Sequence, residues 1–132
     1  MRTAINHYFF DADSGSFILF DHGDAIFAQL GNAFALLIGL GDARTAEALK
    51  HSDALVPATL SMLGFVYDAL LAADPQNKDF VLADIRQKYG FMLEHGATSF
   101  WETIRGEADF NKAGSLCHGW SAMPIYYYRT LL

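Results

Sequence analysis

The chain has 132 residues, 52% of them apolar and 18% charged, so it can form one compact domain with a sizeable hydrophobic core. Its net charge of −6 and its nine scattered Lys and Arg residues argue against a nucleic-acid surface, because phosphate binding requires clustered cations. The low charged fraction predicts that some apolar surface contacts a partner, and we expect self-association.

The sequence contains no recognisable targeting or membrane signal. Its N-terminus lacks an apolar run of signal-peptide length, and no later run is long and apolar enough to span a bilayer. No basic amphipathic helix indicates a membrane surface. The localisation is therefore undetermined, and we expect neither a membrane nor a nucleic acid as a partner.

The first 20 residues contain the only predicted β region. Aromatic and β-branched runs at residues 7–10 and 17–20 flank a turn-forming stretch at 11–16 that contains Asp and Gly. The pattern predicts a short β-hairpin as an extension over residues 1–20. Because a two-stranded hairpin is marginal alone, we expect it to pack on helices.

Five helices are predicted after the hairpin, from apolar residues at helical spacing and from the residues that cap or stop helices. The first begins between Asp21 and Asp24 and ends near Leu40, and Asp42 caps the second. Pro57 starts the third and Asn77 caps the fourth, which ends at residue 95. Residue 121, a serine, caps the fifth. Short connections favour antiparallel helical hairpins, so the predicted fold is all-α in a single domain over residues 1–132.

Residues 96–120 form the stretch that carries chemistry, and Glu102 is its central candidate. The carboxyl of Glu102 follows Phe100 and Trp101, and a position beside an apolar wall suits proton transfer. The alternative is structural: Thr98 or Ser99 would cap a short helical turn, with Glu102 completing the capping box. From the spacing alone, the capping interpretation is favoured.

The remaining candidates in this stretch are two tryptophans and an adjacent Cys–His pair. Trp101 and Trp120 can be stacking platforms for a sugar or base, although large aromatic side chains more often belong to the core. Cys117 and His118 make a poor metal site because no paired Cys or His spacing completes a ligand set. A hydrogen-bonding role for His118 is more economical. We therefore expect no metal and no cofactor.

Two short motifs stand out in this stretch: ATSFWE at residues 97–102 and SLCHGWSAMP at residues 115–124, separated by 12 residues. These two sequence words resemble the closing part of the catalytic domain of bacterial α-L-rhamnosidases, glycoside hydrolases built as an (α/α)6 toroid. The stretch 29–42 also resembles a helix of that domain. The resemblance extends from about residue 17 to residue 132, and the paired words are its most specific part.

The resemblance implies a role for each matching residue. Glu102 would be the general base that activates water in an inverting hydrolysis, which replaces the capping interpretation. His118 would contact sugar hydroxyls, and Trp101 and Trp120 would shape the sugar pocket. The general acid of the family belongs to an acidic stretch upstream, which has no counterpart before Phe17.

Chain length predicts how much of such a toroid is present. Twelve helices with their loops need roughly 250 to 300 residues, so this chain corresponds to about the C-terminal half of a six-hairpin domain. We expect it to need the missing N-terminal part, to bind a rhamnoside-like carbohydrate, and to be inactive alone. The alternative is a non-catalytic helical module that binds carbohydrate or another protein.

Overall fold

The computed structural model describes residues 1–20 and 22–132, which form two compact units. The first unit contains Met1–Ala58 and Phe65–Pro75, and the second contains Thr59–Gly64 and Gln76–Leu132. Most described residues are helical, which confirms the mostly helical fold class. The assignment of residues 1–132 to one domain stays a prediction.

Six α-helices and four two-residue strands make up the regular structure of the described residues, with short 3-10 helices between them. The helices are α1 (Arg2–Phe9), α2 (Gln29–Leu37), α3 (Ala43–His51), α4 (Leu63–Ala73), α5 (Lys78–Glu94) and α6 (Pro124–Leu131). The strands are β1 (Phe10–Asp11), β2 (Ser16–Phe17), β3 (Phe27–Ala28) and β4 (Leu55–Val56), and the 3-10 helices are Leu60–Met62, Pro75–Asn77, Gly106–Ala108 and Gly119–Ala122. None of the helices in these residues has the length and apolar character needed to cross a membrane.

The N-terminal hairpin is present but shorter than predicted. Strands β1 and β2 pair antiparallel with Phe10 opposite Phe17, and the turn between them contains Gly15 at φ +68°. Residues 7–9, predicted as strand, belong to helix α1 instead. Only the Phe9 carbonyl continues the cross-strand bonding, by accepting from the Ile18 N–H at 2.8 Å, so the hydrogen bonds of residues 7–9 are otherwise those of the helix.

Helix α2 begins later than predicted because a strand precedes it. Asp21, the earliest predicted start, lies outside the described residues. From Phe27 the chain pairs with β4 in a parallel register, Phe27 opposite Leu55, and the helix starts only at Gln29. Buried Asn32 then fixes α2 against β2, since it accepts a hydrogen bond from the Phe17 N–H at 2.7 Å and donates one to the Phe17 carbonyl at 3.1 Å.

The predicted cap of α3 is confirmed, whereas the predicted start of the third helix is wrong. Asp42 accepts hydrogen bonds from the backbone of Arg44 and Thr45, and the Thr45 hydroxyl completes a capping box. Pro57 follows strand β4 and does not open a helix, and α4 begins at Leu63. The reason is that the Ala58 N–H donates to the side chain of Gln29 at 3.0 Å, so the chain around Pro57 stays extended.

In the second unit, the extent of α5 matches its prediction and α6 starts later than predicted. Asn77 occupies the N-cap position of α5, but the predicted cap is wrong because its side chain makes no capping hydrogen bond to the helix. Gly96, at φ +78°, lies just past the end of α5, as predicted. Helix α6 begins at Pro124, whose ring is tolerated in a first turn, so Ser121 does not cap it. Ser121 lies instead in a 3-10 helix, fully buried, and its hydroxyl has no hydrogen-bond partner among the described residues.

Candidate functional site

The two sequence words that contain the candidate site residues lie side by side in the second unit. The His118 N–H donates to the Phe100 carbonyl at 2.7 Å, and the Glu102 N–H donates to the Ser115 carbonyl at 2.9 Å. The hydroxyl of Ser99 donates to the Leu116 carbonyl. Residues 99–102 and 115–118 therefore form one hydrogen-bonded layer, which a separation of 12 residues in the sequence does not reveal.

Glu102 is held mainly through its backbone. Its carbonyl accepts from the Ser61 N–H at 3.4 Å, in addition to the bond from its own N–H to Ser115. Its half-buried carboxylate accepts one long hydrogen bond, from the Ser115 N–H to Oε2 at 3.4 Å. The other oxygen, Oε1, has no donor among the described residues. Glu102 thus combines a fixed backbone with a carboxylate that accepts one hydrogen bond from the described residues.

The capping interpretation of Glu102 is wrong. No helix begins at Thr98 or Ser99, and the Ser99 hydroxyl bonds to Leu116 rather than to a helix N-terminus. The carboxylate of Glu102 accepts from Ser115, thirteen residues further along the chain, rather than from a local N-cap backbone. Ser99 and Glu102 therefore form hydrogen bonds with residues 115–116 and not with each other in a capping box.

The two tryptophans occupy different environments. Trp120 is 72% exposed, which excludes the core interpretation for it, and the ring of His118 meets it edge-on at 6.2 Å between centroids. Trp101 is half-buried, and its ring packs against the Cα of Gly106, where an added Cβ would lie 3.1 Å from Cε3. Only Trp120 therefore presents a largely open aromatic face.

The loop between the two words has an unusual backbone. Three consecutive residues, Phe110, Asn111 and Lys112, have φ values of 52°, 58° and 68°. A single left-handed residue is uncommon outside glycine, and a run of three costs conformational energy in each. The Asp109 carbonyl closes this left-handed turn by accepting from the N–H groups of Ala113 and Gly114 at 3.0 and 3.1 Å.

Two other acids, Glu107 and Asp109, lie in the loop between the two words. Glu107 is exposed to solvent. Asp109 is only half-exposed, and its carboxylate lies 3.5 Å from the Arg105 guanidinium. This contact ties the Asp109 side chain to the loop rather than to the layer that holds Glu102.

Neighbouring side chains support the layer from the direction of α5. The Tyr89 hydroxyl donates to the Ser121 carbonyl at 2.8 Å, and its ring meets Phe100 edge-on. Burial, with a smaller contribution from the charge of Asp84, raises the pKa of Tyr89 far above its usual range, so the phenol stays a neutral donor. A cavity of about 290 Å³ adjoins this support, lined by Tyr89, Met92, Leu93, Ala97, Thr98, Ser99 and Phe100.

Sequence reasoning identified the candidate residues but missed the two that hold Glu102. Ser61 and Ser115 act through backbone groups, and backbone groups leave no side-chain signature in a sequence. Cys117 is exposed and unpaired, and no group of three potential ligands in residues 1–20 and 22–132 is arranged to hold a metal ion.

No protein-family model and no curated protein matches this chain. Among solved structures, the crystal structure of a GH78 family rhamnosidase of Bacillus sp. GL1 matches it with a TM-score of 0.79 and 29% sequence identity. The match covers 98% of this chain and 15% of that chain, so the protein spans about 15% of the rhamnosidase's length. The described residues therefore have the fold of a segment of a GH78 rhamnosidase.

Proposed function

We propose that this chain supplies the general-base side of the sugar pocket of an α-L-rhamnosidase-type inverting glycoside hydrolase, with Glu102 as the base. The observation that carries the proposal is the hydrogen-bonded layer that joins Glu102 to the stretch bearing His118 and Trp120. The similarity to a rhamnosidase over 98% of the chain supports the choice of substrate class.

Inverting hydrolysis requires a carboxylate that holds water on one face of the sugar and an acid at the leaving oxygen on the other. In the proposed reaction, Oε1 of Glu102 accepts a proton from water while the water oxygen bonds to the anomeric carbon. The glycosidic C–O bond breaks, and the acid protonates the departing oxygen. The long Ser115 hydrogen bond to Oε2 orients the carboxylate without occupying its free oxygen.

His118 and the two tryptophans are proposed to form the pocket around this base. The exposed face of Trp120 suits the C–H face of a deoxy sugar such as rhamnose, and the ring of His118, set edge-on beside it, can bond to sugar hydroxyls. Trp101, packed on Gly106, contributes a wall close to Glu102.

The general acid is proposed to come from outside these residues, in the remainder of an (α/α)6 toroid of which this chain forms the C-terminal part. The first unit exposes a group of large apolar side chains on and beside α2 that suits such a partner: Phe34, Leu37, Ile38 and Phe65. With that partner missing, we expect the chain to self-associate through apolar surface. Light scattering coupled to size exclusion tests this, and a strictly monomeric species at tens of micromolar contradicts it.

The alternative function is a non-catalytic module that binds carbohydrate through the same residues, or that binds another protein. The exposure of Trp120 favours it over a purely structural role, since a stacking platform serves binding without any acid. The two functions share a pocket and differ in chemistry, so binding and turnover must be measured separately.

The first test is an NMR titration of the chain with L-rhamnose, together with an assay of aryl α-L-rhamnoside hydrolysis. We expect binding in the millimolar range, of the order of 4 kcal/mol, and no turnover. Trp120→Ala should weaken binding about tenfold, whereas the matched control Tyr126→Ala, an exposed aromatic on α6, should leave it unchanged. Absence of rhamnose binding would contradict both functions as carbohydrate proposals. Turnover abolished by Glu102→Gln would show that the chain carries its own acid.

A further inference from the structure

Ser115 is the residue that connects the rest of the loop to Glu102. Its N–H donates to Glu102 Oε2 at 3.4 Å, and its carbonyl accepts from the Glu102 N–H at 2.9 Å. A shift of the Ser115 backbone would therefore change both the backbone bond and the carboxylate bond of Glu102. Whatever fixes the position of Ser115 also fixes Glu102.

The residue before Ser115 crosses another part of the loop at very close range. A Cβ built on Gly114 would lie 1.9 Å from the carbonyl oxygen of Gly106 and 2.9 Å from its carbonyl carbon. Both contacts are to backbone, which cannot move aside as a flexible side chain can. Only glycine fits at position 114, because any other residue would push the chains at 106 and 114 apart.

The crossing is held closed from both sides. Gly106 itself has φ +56°, and a Cβ built on it would lie 2.9 Å from the Leu116 side chain and 3.1 Å from the Trp101 ring, so these two side chains border it closely. On the other side, the left-handed turn at residues 110–112 returns the chain to Gly114. Backbone strain of this kind persists only where the surroundings over-determine it, and it concentrates near functional groups.

We infer that Gly114 is a positioning residue for Glu102, acting through the backbone of Ser115. The close crossing of Gly106 and Gly114 sets where the Ser115 N–H and carbonyl lie, and these two groups orient the Glu102 backbone and carboxylate. The inference deepens the proposed function, because a general base must hold its water in a defined direction.

The test measures the coupling between Ser115 and Glu102 by NMR on the 132-residue chain at neutral pH. In the parent protein, Glu102→Gln replaces a charged acceptor by a neutral one, so the Ser115 amide proton should shift upfield. In a Gly114→Ala background the same substitution should leave that proton unmoved. A persistent response would overturn the inference, because Ser115 would then still face Glu102.

Hydrogen exchange provides the second measurement. Loss of the bond to Ser115 should make the Glu102 amide exchange about tenfold faster in Gly114→Ala. Amides in the middle of α5, such as those of Ile85 and Tyr89, should keep their protection. Unchanged exchange at Glu102 would also count against the positioning role.

A matched control and a second variant separate local positioning from misfolding. A Cβ on Gly119 meets nothing within 4 Å, so Gly119→Ala should preserve the Ser115 response to Glu102→Gln. If Gly114→Ala loses protection throughout α5, a glycine inserted between residues 114 and 115 replaces it. The insertion uncouples Ser115 from the crossing without a clash and should abolish the response, whereas a retained response overturns the inference.

These outcomes are distinct from those of the proposed function. If the parent chain fails to bind rhamnose, the proposed function fails, while the coupling of Ser115 to Glu102 can still be present and can still depend on Gly114. If rhamnose binds but Gly114→Ala leaves the coupling intact, the positioning role fails and the proposed function stands.

Discussion

Asp42 and Glu102 occur in similar sequence patterns, but their carboxylates accept hydrogen bonds from different kinds of partner. Asp42 precedes α3 with Thr45 three residues later, and Glu102 follows Ser99 by the same spacing. Asp42 accepts from the Arg44 N–H at 2.8 Å, from the Thr45 N–H at 3.3 Å and from the Arg44 guanidinium at 3.1 Å. Glu102 accepts a single bond at 3.4 Å.

The difference lies in where the donors come from. Asp42 is saturated by residues within three positions of it, so its oxygens serve the start of a helix and nothing else. Glu102 is held by Ser61 and Ser115, both distant in sequence and both acting through backbone groups. The single donor to Glu102 reaches Oε2, which leaves Oε1 for the proposed role, whereas both oxygens of Asp42 accept local hydrogen bonds.

We expect the largest difference between Glu102 and Asp42 in the effect of their substitution on catalytic activity. In a chimera in which this chain replaces the matching segment of the Bacillus rhamnosidase, Glu102→Gln should lower aryl rhamnoside hydrolysis about 10²- to 10⁴-fold, the usual contribution of a general base. Asp42→Asn in the same chimera should leave turnover nearly unchanged. Equal losses from the two substitutions, measured as kcat, would show that Glu102 has no special role.

For the free energy of unfolding we expect the reverse: substitution of Asp42 should have a larger effect than substitution of Glu102. Asp42→Ala removes the α3 cap and should lower the free energy of unfolding by about 1 kcal/mol. Glu102→Gln keeps the volume and one acceptor, so its effect should stay within about 0.5 kcal/mol. Urea denaturation of the two variants measures both values, and a larger loss for Glu102→Gln would mean that its carboxylate is primarily structural.

These two acids also show how far the sequence could predict the fold. Helix α3 begins at its predicted start because its cap, Asp42, bonds to residues only two and three positions further along the chain. The strand predicted at residues 7–9 and the helix predicted at Pro57 were wrong because their outcomes depend on distant partners. For Pro57, that partner is the Gln29 side chain, which accepts from the Ala58 N–H. Local chemistry is readable in sequence, and long-range pairing is not.

The candidate site follows the same division. Glu102, His118 and Trp120 could be named because their side chains mark two recognisable words. Their arrangement in one layer depends on bonds between backbone groups, as does the holding of Glu102 by Ser61. Any residue type can make a backbone hydrogen bond, so the sequence at those positions carries little information about it.

A substitution in the left-handed turn at residues 110–112 should raise the free energy of unfolding instead of lowering it. Lys112 has φ 68°, a region that glycine enters without a steric cost, so Lys112→Gly should raise the free energy of unfolding by about 0.5 to 1 kcal/mol after the entropy of the unfolded glycine is counted. Lys112→Ala keeps the strain and is the matched control, with no gain expected. Urea denaturation compares them, and an equal gain in both would mean that the lysine side chain, rather than the backbone, carries the cost.

The smallest expected effect is the pH dependence of stability at Asp42. Partial burial works against ionisation, but hydrogen bonds from the Arg44 side chain and from the backbone of Arg44 and Thr45 outweigh it and hold the pKa of Asp42 below its ordinary value. A lowered pKa in the folded state means that the stabilisation is complete above the unfolded value of about 3.9 and is lost as the pH falls through the folded value. Because the Asp42 side chain is 51% exposed, solvent screening limits the effect to a fraction of the cap's contribution. Urea denaturation between neutral pH and pH 3 should therefore show a slightly steeper acid loss for the parent than for Asp42→Asn, and parallel curves would mean that the cap bonds persist with the protonated acid.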